Sequence, residues 1–163
     1  MSEPNRSRIS KIIDWLYATV PSVLPEHIEL LNPDDLFENP TEVLAKGWGI
    51  SIGDGENTER CLGTEAYHWR REFTVIVTQD LLAIAGDQKS VRDKQKLALE
   101  WCHALLKMFT ASASIADPDG SGDMISFKAD VLRDSGPRQI TVNDADYIFV
   151  ELTLALEYRE RTA

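Results

Sequence analysis

The chain has 163 residues, 43% of them hydrophobic and 27% charged, which is the size and composition of one globular domain with its own core. Its 17 basic and 27 acidic residues give a net charge of -10, which argues against a protein that grips the phosphates of nucleic acid. No run approaches the roughly 20 apolar residues of a membrane span, so we expect neither signal peptide nor membrane anchor.

The first predicted element is a helix from Ser7 to Val20. Asn5 or Ser7 can cap it, and Pro21 is expected to end it. Trp15 lies off the apolar stripe, so it is either covered by a loop or left on the surface for a partner. Its apolar residues recur at the spacing of one helical stripe: Ile9, Ile12, Ile13, Leu16, Tyr17 and Val20.

Residues 21–47 predict an irregular, acidic connection. They carry four prolines and six acidic residues against one base, Lys46. A short helix is expected to begin after Asn39, with Asn39 as its cap and Pro40 in its first turn. The acidic residues are typical of a solvated face, with an interaction surface as the alternative.

A hairpin with a long loop follows the connection. Residues 47–53 predict a short strand, residues 54–57 a turn-rich tip, and residues 66–78 a second, long strand. Arg70 and Arg71 make the outer end of this hairpin polar and basic. With Trp15 they are the candidate interface residues.

The second half of the chain predicts a helix, a loop and an antiparallel pair. The helix runs from Val91 to Phe109 with Ser90 near its cap, and a flexible loop is expected over 111–123. Strands follow at 124–132 and 147–159, with a few extended residues at 139–142. The last strand alternates apolar and polar residues and would span roughly 40 Å, about twice an ordinary strand. It predicts a spine of the sheet, with length to spare for pairing with another subunit.

This order of elements predicts an α+β fold over residues 1–163. We expect a single domain in which a mixed or antiparallel sheet of about four strands packs against two main helices.

No pattern of catalytic or cofactor-binding residues emerges. The stretch 117–123 places Asp, Ser and Gly as at the start of a calcium loop, but Lys128 occupies the position of the closing bidentate Glu, and a strand follows. Glu100 and His103 have the spacing of a di-metal motif without its second copy. Neither cysteine has zinc-ligand spacing with a histidine, so we expect Cys61 and Cys102 to be reduced thiols, without a metal. No phosphate loop, dinucleotide fingerprint or nucleophile elbow occurs.

The chain resembles the tail terminator, or tail-completion, proteins of long-tailed bacteriophages. The resemblance is carried by the order of a helix, an acidic proline-containing connection, a glycine-rich hairpin ending in Arg-Arg-Glu-Phe-Thr-Val-Ile-Val (70–77), a long amphipathic helix and the closing strand Val-Glu-Leu-Thr-Leu-Ala-Leu-Glu-Tyr-Arg (150–159). It covers nearly the whole chain. The acidic stretch 21–47 and the loop 111–123 depart from it.

The resemblance implies a structural protein without catalytic residues or cofactors. Such a protein forms a hexameric ring that caps the tail tube, ends its polymerisation and presents a surface to head-completion or neck proteins. The virion is then its location, after synthesis in the host cytoplasm. An acidic surplus repels DNA, so DNA would pass through the ring without specific binding. The alternatives are a head-closure or neck adaptor protein, or a small cytoplasmic enzyme or ligand-binding domain with its pocket between the sheet and the 91–109 helix.

Overall fold

One curled sheet runs through the molecule, and the helices lie against it. The structure, a computed structural model, describes residues 6–59, 66–81, 88–111, 114–120, 122 and 124–161. The helices are α1 (Arg8–Val23), α2 (Thr41–Leu44) and α3 (Gln88–Ala111), with a single 3-10 turn at Leu36–Glu38. The strands are β1 (Ile28–Glu29), β2 (Lys46–Glu59), β3 (Ala66–Asp80), β4 (Ser114–Ala116), β5 (Met124–Asp134), β6 (Arg138–Val142) and β7 (Ala145–Arg161).

The predicted fold of about four strands against two main helices is wrong. The described residues form a seven-stranded sheet in the order β1, β2, β3, β7, β5, β4, with β6 also paired to β7, and three helices accompany it. Strand β6 lies where a few extended residues were predicted at 139–142, and α2 confirms the short helix predicted after Asn39. The added strands β1 and β4 have only 2 and 3 residues. Elements this short do not show the periodicity from which strands and helices are predicted.

The predicted spine is confirmed as β7, the central strand of the sheet. It pairs antiparallel with β3 from Tyr147 opposite Asp80 to Arg161 opposite Ala66, and on its other edge with β5 and β6. The alternation seen in the sequence sorts its residues by face. One set is buried in the main core: Ile148, Val150, Leu152, Leu154, Leu156 and Tyr158.

Helices α1 and α3 pack on that face. Helix α1 begins where predicted, with Ser7 Oγ accepting from Ser10 N, and the carboxylate of Glu160 in β7 accepts from Arg8 N and Ile9 N at 3.0 and 2.7 Å. Its end was predicted wrongly, because Pro21 lies inside the helix. Pro21 lacks the N–H that would bond to Tyr17 O, and the helix continues past it for only two residues, to Val23.

Helix α3 begins three residues earlier than predicted. Ser90 is therefore a helical residue and not the cap, and the residues added before it include Gln88 and Lys89, both good helix formers. The buried side of α3 consists of Ala98, Cys102, Leu105 and Phe109.

Residues 30–45 cover one end of the opposite face of the sheet. They contribute Leu30 and Leu44 to a second apolar cluster with Ile76, Val142 and Tyr147. The predicted cap Asn39 instead lies buried within the connection, where its amide binds backbone atoms on both sides of the 32–39 loop: Asn32 N, Asn32 O, Asp35 O and Leu36 O. Pro40 occupies the cap position of α2.

Two predicted loops contain strand. Residues 54–57 are not a turn, because β2 continues through them to Glu59 with irregular register between Ile52 and Gly55 and again between Asn57 and Glu59. Glycines in a strand mark bulges as well as turns. Within 111–123, β4 pairs with the start of β5. Cys61 lies outside the described residues.

Candidate interaction surface

The uncovered half of the sheet carries a row of alternating charges across four strands. Glu56 in β2 is opposite Arg70 in β3, Arg70 is opposite Glu157 in β7, and Glu157 is opposite Lys128 in β5. We call the outward side chains around this row the open face. Opposite charges on neighbouring strands stabilise a sheet modestly. The row is charge-balanced, so it is not a surface for gripping phosphates.

Arg70 is the predicted interface residue that the structure leaves accessible on the open face. Its side chain is half-buried and forms no hydrogen bond or ion pair with another described residue. It lines a groove of about 420 Å³ with Asp54, Gly55, Glu56 and Glu72. The groove is open and polar, and its single guanidinium is available to a carboxylate or carbonyl of a partner.

Arg71 points the other way and is used inside the fold. Because successive strand residues face opposite sides, its guanidinium passes over Gly55 on the helix side of the sheet, where Nη1 donates to Gly53 O at 3.1 Å. Nε also lies 3.4 Å from the Tyr158 hydroxyl. The two arginines were predicted together, and strand periodicity alone separates them.

Trp15, the third candidate, is covered by a strand. Its ring centroid lies 5.1 Å from that of Phe127 in β5, and the side chain packs half-buried against the main core. Its position off the helical stripe reflects this lateral contact with β5. An interface role for the part of the ring that remains exposed stays a prediction.

The calcium-like stretch is occupied by cations of the protein itself. Lys11 Nζ in α1 lies 2.9 Å from Asp117 and 3.5 Å from Asp119, and Arg6 donates to Asp119 at 2.9 Å. The hydrogen bond to Asp117 raises the pKa of Lys11. The described part of this loop is thus fastened to α1.

We expect no calcium binding at this loop. Calcium would have to displace Lys11 and Arg6 and would lack a closing carboxylate at Lys128. Titration calorimetry should give no heat above dilution, and Lys11→Met should not create a site. A micromolar site that Asp119→Ala abolishes would contradict this expectation.

A cluster around His27 was not predicted from the sequence. The His27 ring lies edge-on to Trp101 of α3 with centroids 4.3 Å apart, and Lys46 Nζ lies 5.5 Å from the Trp101 ring centroid and 2.7 Å from Glu26. His27 Nε2 is buried without a hydrogen-bond partner among the described residues. Burial, reinforced by Lys46, lowers the pKa of His27 to about 4. The contact joins the acidic connection to α3 and keeps the imidazole neutral.

Acidification should weaken this junction. The pKa of His27 is about 4 when folded and about 6.5 when unfolded, so between these values the unfolded chain binds the extra proton. Stability contributed by the neutral imidazole is complete above pH 6.5 and is lost as the pH falls towards 4. Thermal unfolding of the wild type and His27→Gln from pH 7.5 to 4 should show a shallower decline for the variant. Parallel curves would assign the decline to other groups.

The remaining candidate chemistry is not assembled in the structure. Burial, together with Asp134, raises the pKa of the Cys102 thiol to about 12, so it is not a nucleophile. His103 is exposed one residue away. Over the described ranges, no group of three or more His, Cys, Asp or Glu side chains could hold a metal ion. Nor is any helix within those ranges both long and apolar enough to cross a membrane.

No protein-family model matches the chain, and no curated protein matches it.

Proposed function

We propose that the chain is a ring-forming subunit that caps the tail tube of a phage, ends its polymerisation and presents a surface for joining the head. The observation that carries this proposal is the outer edge of β2. From Ser51 to Glu56 this edge pairs with no other strand among the described residues. Long open edges pair readily with other chains, so a monomeric protein normally blunts or covers them.

The opposite side of the sheet offers a second edge. Strand β4 pairs only with residues 124–126 of β5, so β5 from Phe127 to Asp134 has a neighbour on one side alone within the described part of the chain. Ile52 on the first edge and Leu132 on the second are 49% and 42% exposed. Different surfaces on opposite sides of a subunit suit head-to-tail contacts, which close into rings when the rotation permits.

The charge distribution fits a passage for DNA. The open face is balanced, and a net charge of -10 per subunit repels DNA over the Debye length instead of binding it. A capping ring of this kind carries no catalytic site. The groove at Arg70 lies on the open face, on the side of the sheet away from α3, so it is not the pocket that the alternative enzyme reading requires.

Loss of the gene from a phage that encodes it tests the function. Electron micrographs should show headless tails of uncontrolled length, because nothing caps the tube or receives the head. Tails of normal length that join heads normally would exclude the terminator role and favour the enzyme or ligand-binding class.

Purified protein gives a second test, through the salt dependence of assembly. Six copies would gather a formal charge near -60, from six times -10, so repulsion should keep the protein monomeric or weakly associated at low salt. The Debye length falls from about 30 Å at 0.01 M to about 10 Å at 0.1 M salt. Light scattering should therefore show that the fraction of protein in rings increases as the salt concentration rises over this range. The increase should be larger when tube protein is present.

A further inference from the structure

The acidic connection carries the two most exposed large apolar side chains among the described residues. Leu31 is 74% exposed and Phe37 65%, and Ile28 nearby in sequence is 52% exposed. Asn39 closes the loop that bears Phe37 onto Asn32, next to Leu31. We call residues 28–38 the acidic loop. Exposed apolar groups fixed on one ordered loop are typical of a contact surface.

The carboxylates of the acidic loop have no cationic partners among the described residues. Asp34, Asp35 and Glu38 accept from neutral donors, namely Ser51 Oγ, Phe37 N and Asn32 Nδ2. Glu29 is exposed, and the ion pairs of the described residues involve none of these four carboxylates. The loop therefore presents apolar side chains within uncompensated negative charge.

Helix α3 carries exposed basic side chains beside an exposed apolar one, which complements the acidic loop. Arg92 and Lys96 are exposed, and Leu99 next to them is 39% exposed. Their spacing of four and three residues places them on one stripe of the helix. Asp93 and Glu100 lie beside this stripe on the solvent side. We call Arg92, Lys96 and Leu99 the basic stripe.

The acidic loop and the basic stripe lie towards opposite flanks of α3. Trp101 touches His27 and Lys46 and so marks the flank of α3 towards β1 and the acidic loop. Leu99 lies about 200° from Trp101 around the helix. One copy therefore cannot bring its own two surfaces together.

We infer that the acidic loop of one copy docks on the basic stripe of α3 in a second copy. Leu31 and Phe37 then cover Leu99, while Glu29 and Glu38 face Arg92 and Lys96. The contact is head-to-tail, so repeating it builds a ring or a filament. The choice of a closed ring over an open filament rests on the proposed function.

A charge-swap experiment tests the contact with the whole chain. One variant combines Glu29→Lys with Glu38→Lys, and the other combines Arg92→Glu with Lys96→Glu. Each alone brings like charges together and should fail to associate in analytical ultracentrifugation, whereas an equimolar mixture restores opposite charges at both junctions and should assemble as the wild type does. The double variant Lys107→Glu with Arg138→Glu changes two exposed side chains outside both surfaces. It makes the same change of net charge as the Arg92 and Lys96 variant and should assemble normally once its added repulsion is screened.

The outcomes separate the contact from the tail function. Wild type that stays monomeric at about 1 mM protein, where a millimolar contact is half-formed, would overturn the contact if the salt is about 0.1 M, so that repulsion between the subunits is screened. So would folded single-side variants that still associate, or a mixture that does not. Circular dichroism and thermal unfolding establish that each variant is folded. Headless tails in a phage lacking the gene would leave the tail function standing even if the contact failed.

Discussion

Leu154→Asp should abolish soluble folded protein. Leu154 is fully buried in the centre of β7, between Phe73 of β3 and Val131 of β5. An aspartate there places a charge without a partner in the main core, which costs several kcal/mol. A domain is stable by only about 5–15 kcal/mol. The fraction of soluble protein and the far-ultraviolet circular dichroism of what remains measure the effect.

Thr153→Asp is the matched control. Thr153 is the next residue along β7 but faces the half-buried opposite side of the sheet, between Thr74 and Arg133. The new carboxylate can stay hydrated beside a guanidinium, so this variant should be soluble and close to wild type in stability. Equal damage from the two substitutions would show that another subunit or segment buries this side as well.

Gly47→Ala should have the second largest effect. A Cβ at this position would lie 2.6 Å from the Val43 carbonyl oxygen, 2.6 Å from Thr78 Oγ1 and 2.9 Å from Leu30 Cδ2. The carbonyl belongs to the backbone of α2, so relief requires α2 and the second apolar cluster to move. We expect a loss of about 3 kcal/mol, at the upper end of overpacking. For a chain of this size that lowers the unfolding temperature by roughly 6 to 12 °C.

Gly55→Ala provides the comparison. The three atoms nearest to its Cβ would all belong to the guanidinium of Arg71, the closest at 2.7 Å. This group ends a flexible side chain and can withdraw, at the expense of its hydrogen bond to Gly53 O, for a loss of about 1 kcal/mol. If calorimetry found the two variants equally destabilised, the close packing of residues 30–45 on β2 would not explain the effect at Gly47.

The long elements could be predicted from the sequence because their periodicity extends over many residues. This periodicity predicted β3, β7, α1 and α3. Most of their observed ends differ from the predicted ends by two or three residues. Strands β1 and β4 were not found, because two or three residues carry no period and their pairing is decided by tertiary contacts such as Leu30 N to Trp48 O at 2.7 Å. The total number of strands was therefore predicted wrongly.

The candidate interface residues were predicted only in part, because their roles also depend on contacts between distant parts of the chain. Arg70 and Arg71 are adjacent residues of the same type. They differ only in the direction of their side chains on β3, which places Arg70 on the open face and Arg71 on the helix side. Trp15 was placed off the helical stripe correctly, but a sequence does not say that β5 covers that flank. His27 and Trp101 are 74 positions apart in the chain (101 minus 27). A contact between such distant residues leaves no local sequence pattern from which it can be predicted.

The pairing of β3 with β7 also governs how fast this chain can fold. The paired residues Asp80 and Tyr147 are 67 positions apart, and Ala66 and Arg161 are 95 apart. The centre of the sheet therefore forms only after a long loop has closed. The conformational entropy of that loop is lost before the core contacts compensate for it. Proteins dominated by such distant pairings fold in milliseconds to seconds, far more slowly than helical bundles. During that interval β3 has an open edge on the side that β7 will occupy, so refolding at high concentration should favour aggregation over recovery.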